Sequence, residues 1–264
     1  MFLKIITFFW YFWNQPKQNT KTANPLKNYQ QKTIFLVLFG LFLNIHSTQS
    51  QTTNDISIYN WFDKNLGIES LDIKNGPAHL NFDKTVDNQN RYYGSDDFKK
   101  GTVNYNNQNY FDQFFKYDIY NDQLVLRPYD ESNNTKINLI KENINYFTLG
   151  NEKFVNLKEL NNTKFKGGYY EEVVINNTIT LYIKYHKEKK KNIKDESNVI
   201  EYLPRYEFIL LKENKFNLIN DKKEIIALFP ASKTKINDFY LMNKNLRKEN
   251  NSLFMKNLIK YINN

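Results

Sequence analysis

Seven acidic residues fall in one stretch of the chain: Asp96, Asp97, Asp112, Asp118, Asp122, Asp130 and Glu131. Two such carboxylates held about 5–10 Å apart can hydrolyse a glycosidic bond, and several carboxylate oxygens together can hold calcium. The spacing matches neither a calcium-binding loop nor a carboxylate pair. Asp118 and Asp122 flank what reads as a turn, where Asp serves the backbone. The three histidines, His46, His79 and His186, stand apart without metal-ligand spacing. There is no cysteine, which removes disulfides, thiolate nucleophiles and Cys-held metals. With eight glycines in the chain, neither a nucleophile elbow nor a phosphate-cradling loop is present. No catalytic, cofactor-binding or metal-ligating residue is therefore assigned, and no cofactor is expected. What stands out instead is aromatic density: Tyr92-Tyr93, Tyr105, Tyr110-Phe111 and Phe114-Phe115. Aromatics on a sheet face can stack on sugars or form a protein-binding patch, although many become core or cross-strand pairs.

Strands have to carry these residues. From His79 onward, short runs rich in Val, Ile, Tyr and Phe alternate with Asn, Asp and Gly, the pattern of antiparallel strands. Strands are expected at 78–82, 101–105, 114–120, 123–127, 136–140, 143–149, 153–157, 169–175, 179–185, 201–211 and 215–219. Asn121-Asp122, Gly150 and Asn176-Asn177 supply hairpin turns, because Asn, Asp and Gly tolerate left-handed backbone. The segment 184–194, with its run of lysines, reads as a polar insert between strands. A short helix is expected at 59–66.

After Asn220 the period lengthens. Asp221 begins a capped helix that Pro230 ends, and 233–248 and 252–262 carry apolar stripes at helical spacing. The stripes are Ile236, Phe239, Tyr240, Asn243 and Leu246 on roughly one face, then Phe254, Leu258, Tyr261 and Ile262. The expected fold is α+β and β-rich: an antiparallel strand meander, curled or half-barrel, followed by two or three C-terminal amphipathic helices. The expected divisions are 1–50, an N-terminal extension and signal peptide; 51–78, a linker or short helix; 79–219, the sheet; and 220–264, the helices packing on the sheet. A membrane-surface role for the Lys-rich helices is the alternative to packing.

Lys27 and Lys32 precede the uncharged run Thr33 to Ile45, and Thr48 and Ser50 follow at the spacing a signal peptidase requires. The run is short of the roughly 20 apolar residues of a membrane span. Cleavage near Ser50 and export to the periplasm, the outer surface or the medium are expected, with no span in the mature chain. The polar stretch 14–31 is long for a leader, so translation is expected to begin near Leu26. The whole chain has a net charge of +9, but the first 50 residues hold five lysines and no acid, leaving +4 beyond them. Four arginines in 264 residues weigh against nucleic-acid binding, which favours Arg for phosphates and bases.

Four stretches, Tyr93-Gly-Ser-Asp-Asp-Phe-Lys-Lys-Gly-Thr-Val103, Phe115-Lys-Tyr-Asp-Ile-Tyr-Asn-Asp-Gln-Leu-Val-Leu-Arg127, Gly168-Tyr-Tyr-Glu-Glu-Val-Val174 and the tail through Leu228-Phe-Pro230, carry a resemblance. Over roughly residues 79–262 the chain resembles a group of exported proteins of Bacteroidota that has no assigned activity. The resemblance implies export and the order of leader, strands and helices; it implies no mechanism. The function expected first is a non-enzymatic envelope or secreted module that binds a protein or glycan through aromatic-rich strands. The alternatives are a carboxylate-dependent, glycosidase-like hydrolase and a lipocalin-like carrier of an apolar ligand.

Overall fold

A computed structural model describes residues 52–67, 70–85, 89–128, 135–158, 165–194 and 197–263, nearly all of them within the compact unit Asp55–Asn264. The expected leader, its cleavage site and the alternative start lie outside the described residues.

Ten strands form one antiparallel sheet: β1 (Lys99–Tyr105), β2 (Gln108–Asp118), β3 (Gln123–Arg127), β4 (Ile137–Asn138), β5 (Ile144–Leu149), β6 (Glu152–Leu157), β7 (Gly168–Asn176), β8 (Ile179–Lys194), β9 (Ser197–Lys212) and β10 (Lys215–Leu218). Their order is β10-β9-β8-β7-β6-β5-β1-β2-β3-β4, so the sheet is a meander of hairpins and is not closed. The turns are made as their residues dictate. Asn106 and Asn107 both take positive φ between β1 and β2, as do Gly150 between β5 and β6 and Asp122 between β2 and β3. At the β7–β8 turn the Asn176 side chain accepts the Thr178 backbone N–H at 3.0 Å.

One pairing departs from simple succession: β5 returns to the free side of β1, with Val103 opposite Phe147. In a flat sheet β4 and β5 would lie about 19 Å apart, four strand spacings. The connection 139–143 includes a 3-10 turn at Lys141–Asn143, which shortens its reach to roughly 16 Å. The sheet therefore curls. Ring contacts across the sheet agree. Tyr117 on β2 lies 5.8 Å from Tyr169 on β7 and 5.3 Å from Phe154 on β6, centroid to centroid. Tyr117, Phe147, Phe154 and Tyr169 are fully buried and fill the concave face.

Five α-helices are described: α1 (Thr52–Leu66), α2 (Lys222–Leu228), α3 (Lys233–Met242), α4 (Lys244–Glu249) and α5 (Asn251–Asn263). Asp221 caps α2 in a reciprocal capping box with Glu224, and α2 stops at Phe229 before Pro230. The helix expected over 233–248 is divided at Asn243, whose backbone N–H and Nδ2 both donate to the Phe239 carbonyl at 3.0 Å. In α5 the buried stripe is Phe254, Met255, Leu258, Ile259 and Ile262, and it packs against β7 and β8. Tyr261, expected in that stripe, is 41% exposed.

Two strand expectations need correction. Residues 78–82 form only an isolated bridge between Ala78 and Ile137, with Phe82 85% exposed. The lysine-rich segment 184–194 is not an insert but part of β8, in register with β9 from Ile179–Lys212 to Lys194–Ser197. Charge pairing across the two strands accounts for this: Lys190 stands opposite Glu201, and Arg205 meets Glu188 at 2.8 Å. Beyond His186 the pair projects as a two-stranded ribbon, braced by a parallel bridge from Thr85 to Ile200. Pro204 falls where β10 no longer pairs with β9, an edge position that Pro permits. Among the described residues, no helix is long and apolar enough to cross a membrane.

Candidate functional site

The acidic residues of the 96–131 stretch form no reactive group where they are described. Asp118 is fully buried and accepts Arg91 Nη2 at 2.7 Å and the Tyr120 and Asn121 backbone N–H groups at 3.1 and 3.0 Å. Asp122 accepts the Tyr117 hydroxyl at 2.6 Å, meets Lys184 at 2.6 Å and is bonded to Lys141. Burial alone would raise the Asp122 carboxyl, but the two ammonium groups hold it below the usual carboxylate range. Gly168 makes this cluster possible: a Cβ there would strike both the Asp122 carboxylate and the Lys184 ammonium. Asp96 pairs with Lys116, Asp112 faces Lys100 at 3.1 Å, and Asp97 is exposed. Asp130 and Glu131 lie outside the described residues. His79 is clamped between Asn138 Oδ1 at 2.8 Å and the Tyr92 hydroxyl at 2.9 Å. Among the described residues no three His, Asp or Glu side chains converge to hold a metal.

Most of the aromatic cluster is core. Tyr92, Tyr105, Tyr110 and Phe115 are buried, and Tyr93 is half-buried because it opens onto a cleft. The cleft encloses about 530 Å³ between the loop 89–94, the roots of the β8–β9 ribbon and the α4–α5 junction. Its aromatic wall is a run of edge-on tyrosines: Tyr93 and Tyr185 lie 4.8 Å apart at 76°, and Tyr185 and Tyr206 lie 5.6 Å apart at 75°. Tyr202 extends the wall. Behind it, the Tyr185 hydroxyl donates to Glu171 Oε2 at 2.6 Å, and Lys256 of α5 holds Glu171 Oε1 at 2.5 Å. A buried carboxylate thus fixes the ring and ties α5 to the sheet. Burial pushes the Tyr93 and Tyr185 hydroxyls well above the ordinary phenol range, so both stay neutral donors.

The opposite wall is held equally firmly. Lys187 Nζ donates to the carbonyls of Asn90 and, at 3.0 Å, Tyr92, while Tyr93 N–H donates to the Tyr117 carbonyl at 2.8 Å. Arg91, locked to Asp118, anchors the same loop. Gln89 Oε1 is buried without a hydrogen-bond partner among the described residues, and so is Nδ1 of His186, whose side chain lies with that of Lys184 on the face of β8 opposite Tyr185. Burial lowers the His186 pKa, leaving a neutral imidazole at pH 7. Lys99, Lys187, Arg205, Glu152 and Glu249 are the charged residues of the lining. The cleft is thus a preformed concavity with aromatic faces and charged groups of both signs in its lining.

Sequence reasoning found Tyr93 but missed Gln89, Tyr185 and Tyr206. Tyr185 was obscured because the segment 184–194 reads as an insert; the alternation Leu181, Ile183, Tyr185 against Tyr182, Lys184, His186 was the available signal, setting Tyr185 on the core face and His186 on the other. Comparison with family models, with curated proteins and with solved structures finds no match for the chain.

Proposed function

We propose that the chain is an exported, non-enzymatic binding module of the envelope or the secreted space, and that the tyrosine cleft binds a glycan segment. The observation that carries this is the Tyr93–Tyr185–Tyr206 wall in a cleft whose lining also holds Gln89, Lys99, Glu152 and Glu249 as hydrogen-bonding residues. Sugars present apolar CH faces and a rim of hydroxyls, so aromatic faces and free hydrogen-bonding groups together suit them. The rigid walls lower the ordering cost of binding. The basic flank and apolar run at 27–45, together with the resemblance to exported Bacteroidota proteins, support export.

The concave face, where a lipocalin-like carrier would hold its ligand, is filled by Tyr117, Phe147, Phe154 and Tyr169. A hydrolase would need two carboxylates set about the scissile bond; the described acids of the 96–122 stretch are engaged elsewhere or exposed, and Glu152 and Glu249, which line the cleft, are the pair that turnover of the saccharide would implicate. The test is calorimetric titration of the purified chain with a panel of neutral and acidic oligosaccharides. Saturable one-to-one binding is expected, weakened about tenfold or more by Tyr206→Ala. Absence of saccharide binding, capture of peptides instead, or turnover of the saccharide refutes the reading. N-terminal sequencing of the mature product checks export, with a start near Gln51 expected.

A further inference from the structure

A second concavity, which shares no lining residue with the tyrosine cleft but neighbours it where Tyr206 stacks on Phe208, lies where α2 and α5 meet β9 and the end of β10, and encloses about 620 Å³. Its floor is apolar: Phe208, Ile219, Ile225 and Met255 line it, none more than 4% exposed. Its rim is cationic. Lys222 Nζ and the Arg247 guanidinium both lie 5.3 Å from the centroid of the Tyr240 ring. Two like charges converge on one aromatic residue, yet neither forms an ion pair among the described residues. Asp221, the one acid of the lining, also caps α2 by accepting the Glu224 backbone N–H at 2.9 Å. Lys223 adds a third cation to the lining.

Three cations against one carboxylate leave an excess of positive charge, and an anion seated there removes the cost of their repulsion. A guanidinium prefers a planar, two-oxygen partner such as a carboxylate. The greasy floor beneath asks for hydrocarbon rather than water, and the enclosed volume falls within the range of small-molecule sites. We propose that this cleft binds an amphipathic carboxylate, with a hydrocarbon chain or ring on the Phe208–Ile219–Ile225–Met255 floor and the carboxylate at Arg247 and Lys222. The site lies between the helices and the sheet edge, not inside the curled sheet. It does not depend on the glycan reading.

The experiment titrates the full chain with decanoate, with decan-1-ol and with phosphatidylcholine vesicles containing phosphatidylglycerol, in low and high salt. One decanoate is expected to bind per chain. Decan-1-ol should bind at least tenfold more weakly, and added salt should weaken decanoate but not the alcohol. The double variant Lys222→Gln/Arg247→Gln should lose at least tenfold in decanoate affinity while keeping its circular dichroism and melting temperature. The salt and alcohol comparisons use the unaltered protein, so they decide the matter even where a variant misfolds. Unsaturable decanoate binding, equal affinity for the alcohol, or an unchanged double variant overturns the proposal. Binding to anionic vesicles without binding to free decanoate also overturns it, assigning the cations to a lipid surface.

Discussion

The Asp122 cluster shows how one glycine decides what its neighbours become. Because Gly168 has no side chain and sits at φ 141°, Lys184 can reach across its face to Asp122, and Lys141 and Tyr117 complete the carboxylate's partners. Replacing Asp122 by Asn leaves a buried ammonium without its counter-charge, and a loss of about 3 kcal/mol in urea unfolding is expected. Gly168→Ala should cost about 1–3 kcal/mol, since the new methyl displaces the pair and the backbone conformation there is poor for a residue with a Cβ. The pH dependence follows from the carboxyl's depressed pKa. Asp122 contributes its stability fully above the unfolded carboxylate pKa of about 4, and the contribution is lost as the pH falls through the lower folded value. Urea midpoints measured from pH 7 down to pH 2 should therefore fall less for Asp122→Asn than for the parent, although that variant starts lower. In sequence, Asp122 was legible as a turn residue, and its positive φ bears this out. Its ion pairs were not, because Lys141 and Lys184 are brought to it by the curl of the sheet and not by spacing along the chain.

At the scale of elements, hairpins and caps were the most readable features, since each depends on adjacent residues. The turns at Asn121-Asp122 and Gly150, the strand Gln123–Arg127, and the helix opened by Asp221 and closed before Pro230 all stand where local chemistry puts them. Asp221→Ala should cost about 1 kcal/mol, read as a shift in the urea midpoint. The β8–β9 ribbon was misread because lysines and a proline are strand-poor by composition, whereas a register of sixteen opposed pairs is a property of two segments together. The ribbon also has an unequal interior. From Ile179 to Ile183, β8 lies between β7 and β9, but beyond His186 one of its edges has no strand partner among the described residues. Hydrogen exchange should accordingly be orders of magnitude slower for amides of 179–183 than for those of 188–191. Equal protection along β8 would contradict this description. The lysines on that bare edge are also the means by which proteins discourage edge-to-edge association.

For the molecule as a whole, α5 is the principal cover of the sheet. Its side chains Phe254, Leu258 and Ile259 are fully buried, and Lys256 reaches Glu171 behind the tyrosine wall. Leu258→Ala should cost about 2–5 kcal/mol and lower cooperativity, checked by thermal unfolding. Fold class could be read from the alternation of hydrophobic residues because it repeats in every strand. The order of strands could not, because β5 pairs with β1 past the whole of β2, β3 and β4, at Val103–Phe147 and Asn104–Tyr146. That one long-range pairing has a kinetic consequence. Each remaining strand pair can zip from its own turn in microseconds, but the two ladders β1–β4 and β5–β10 become one sheet only when this seam closes. Joining them is expected to be the slow step of folding, so Phe147→Leu should retard refolding far more than it hastens unfolding in stopped-flow measurements.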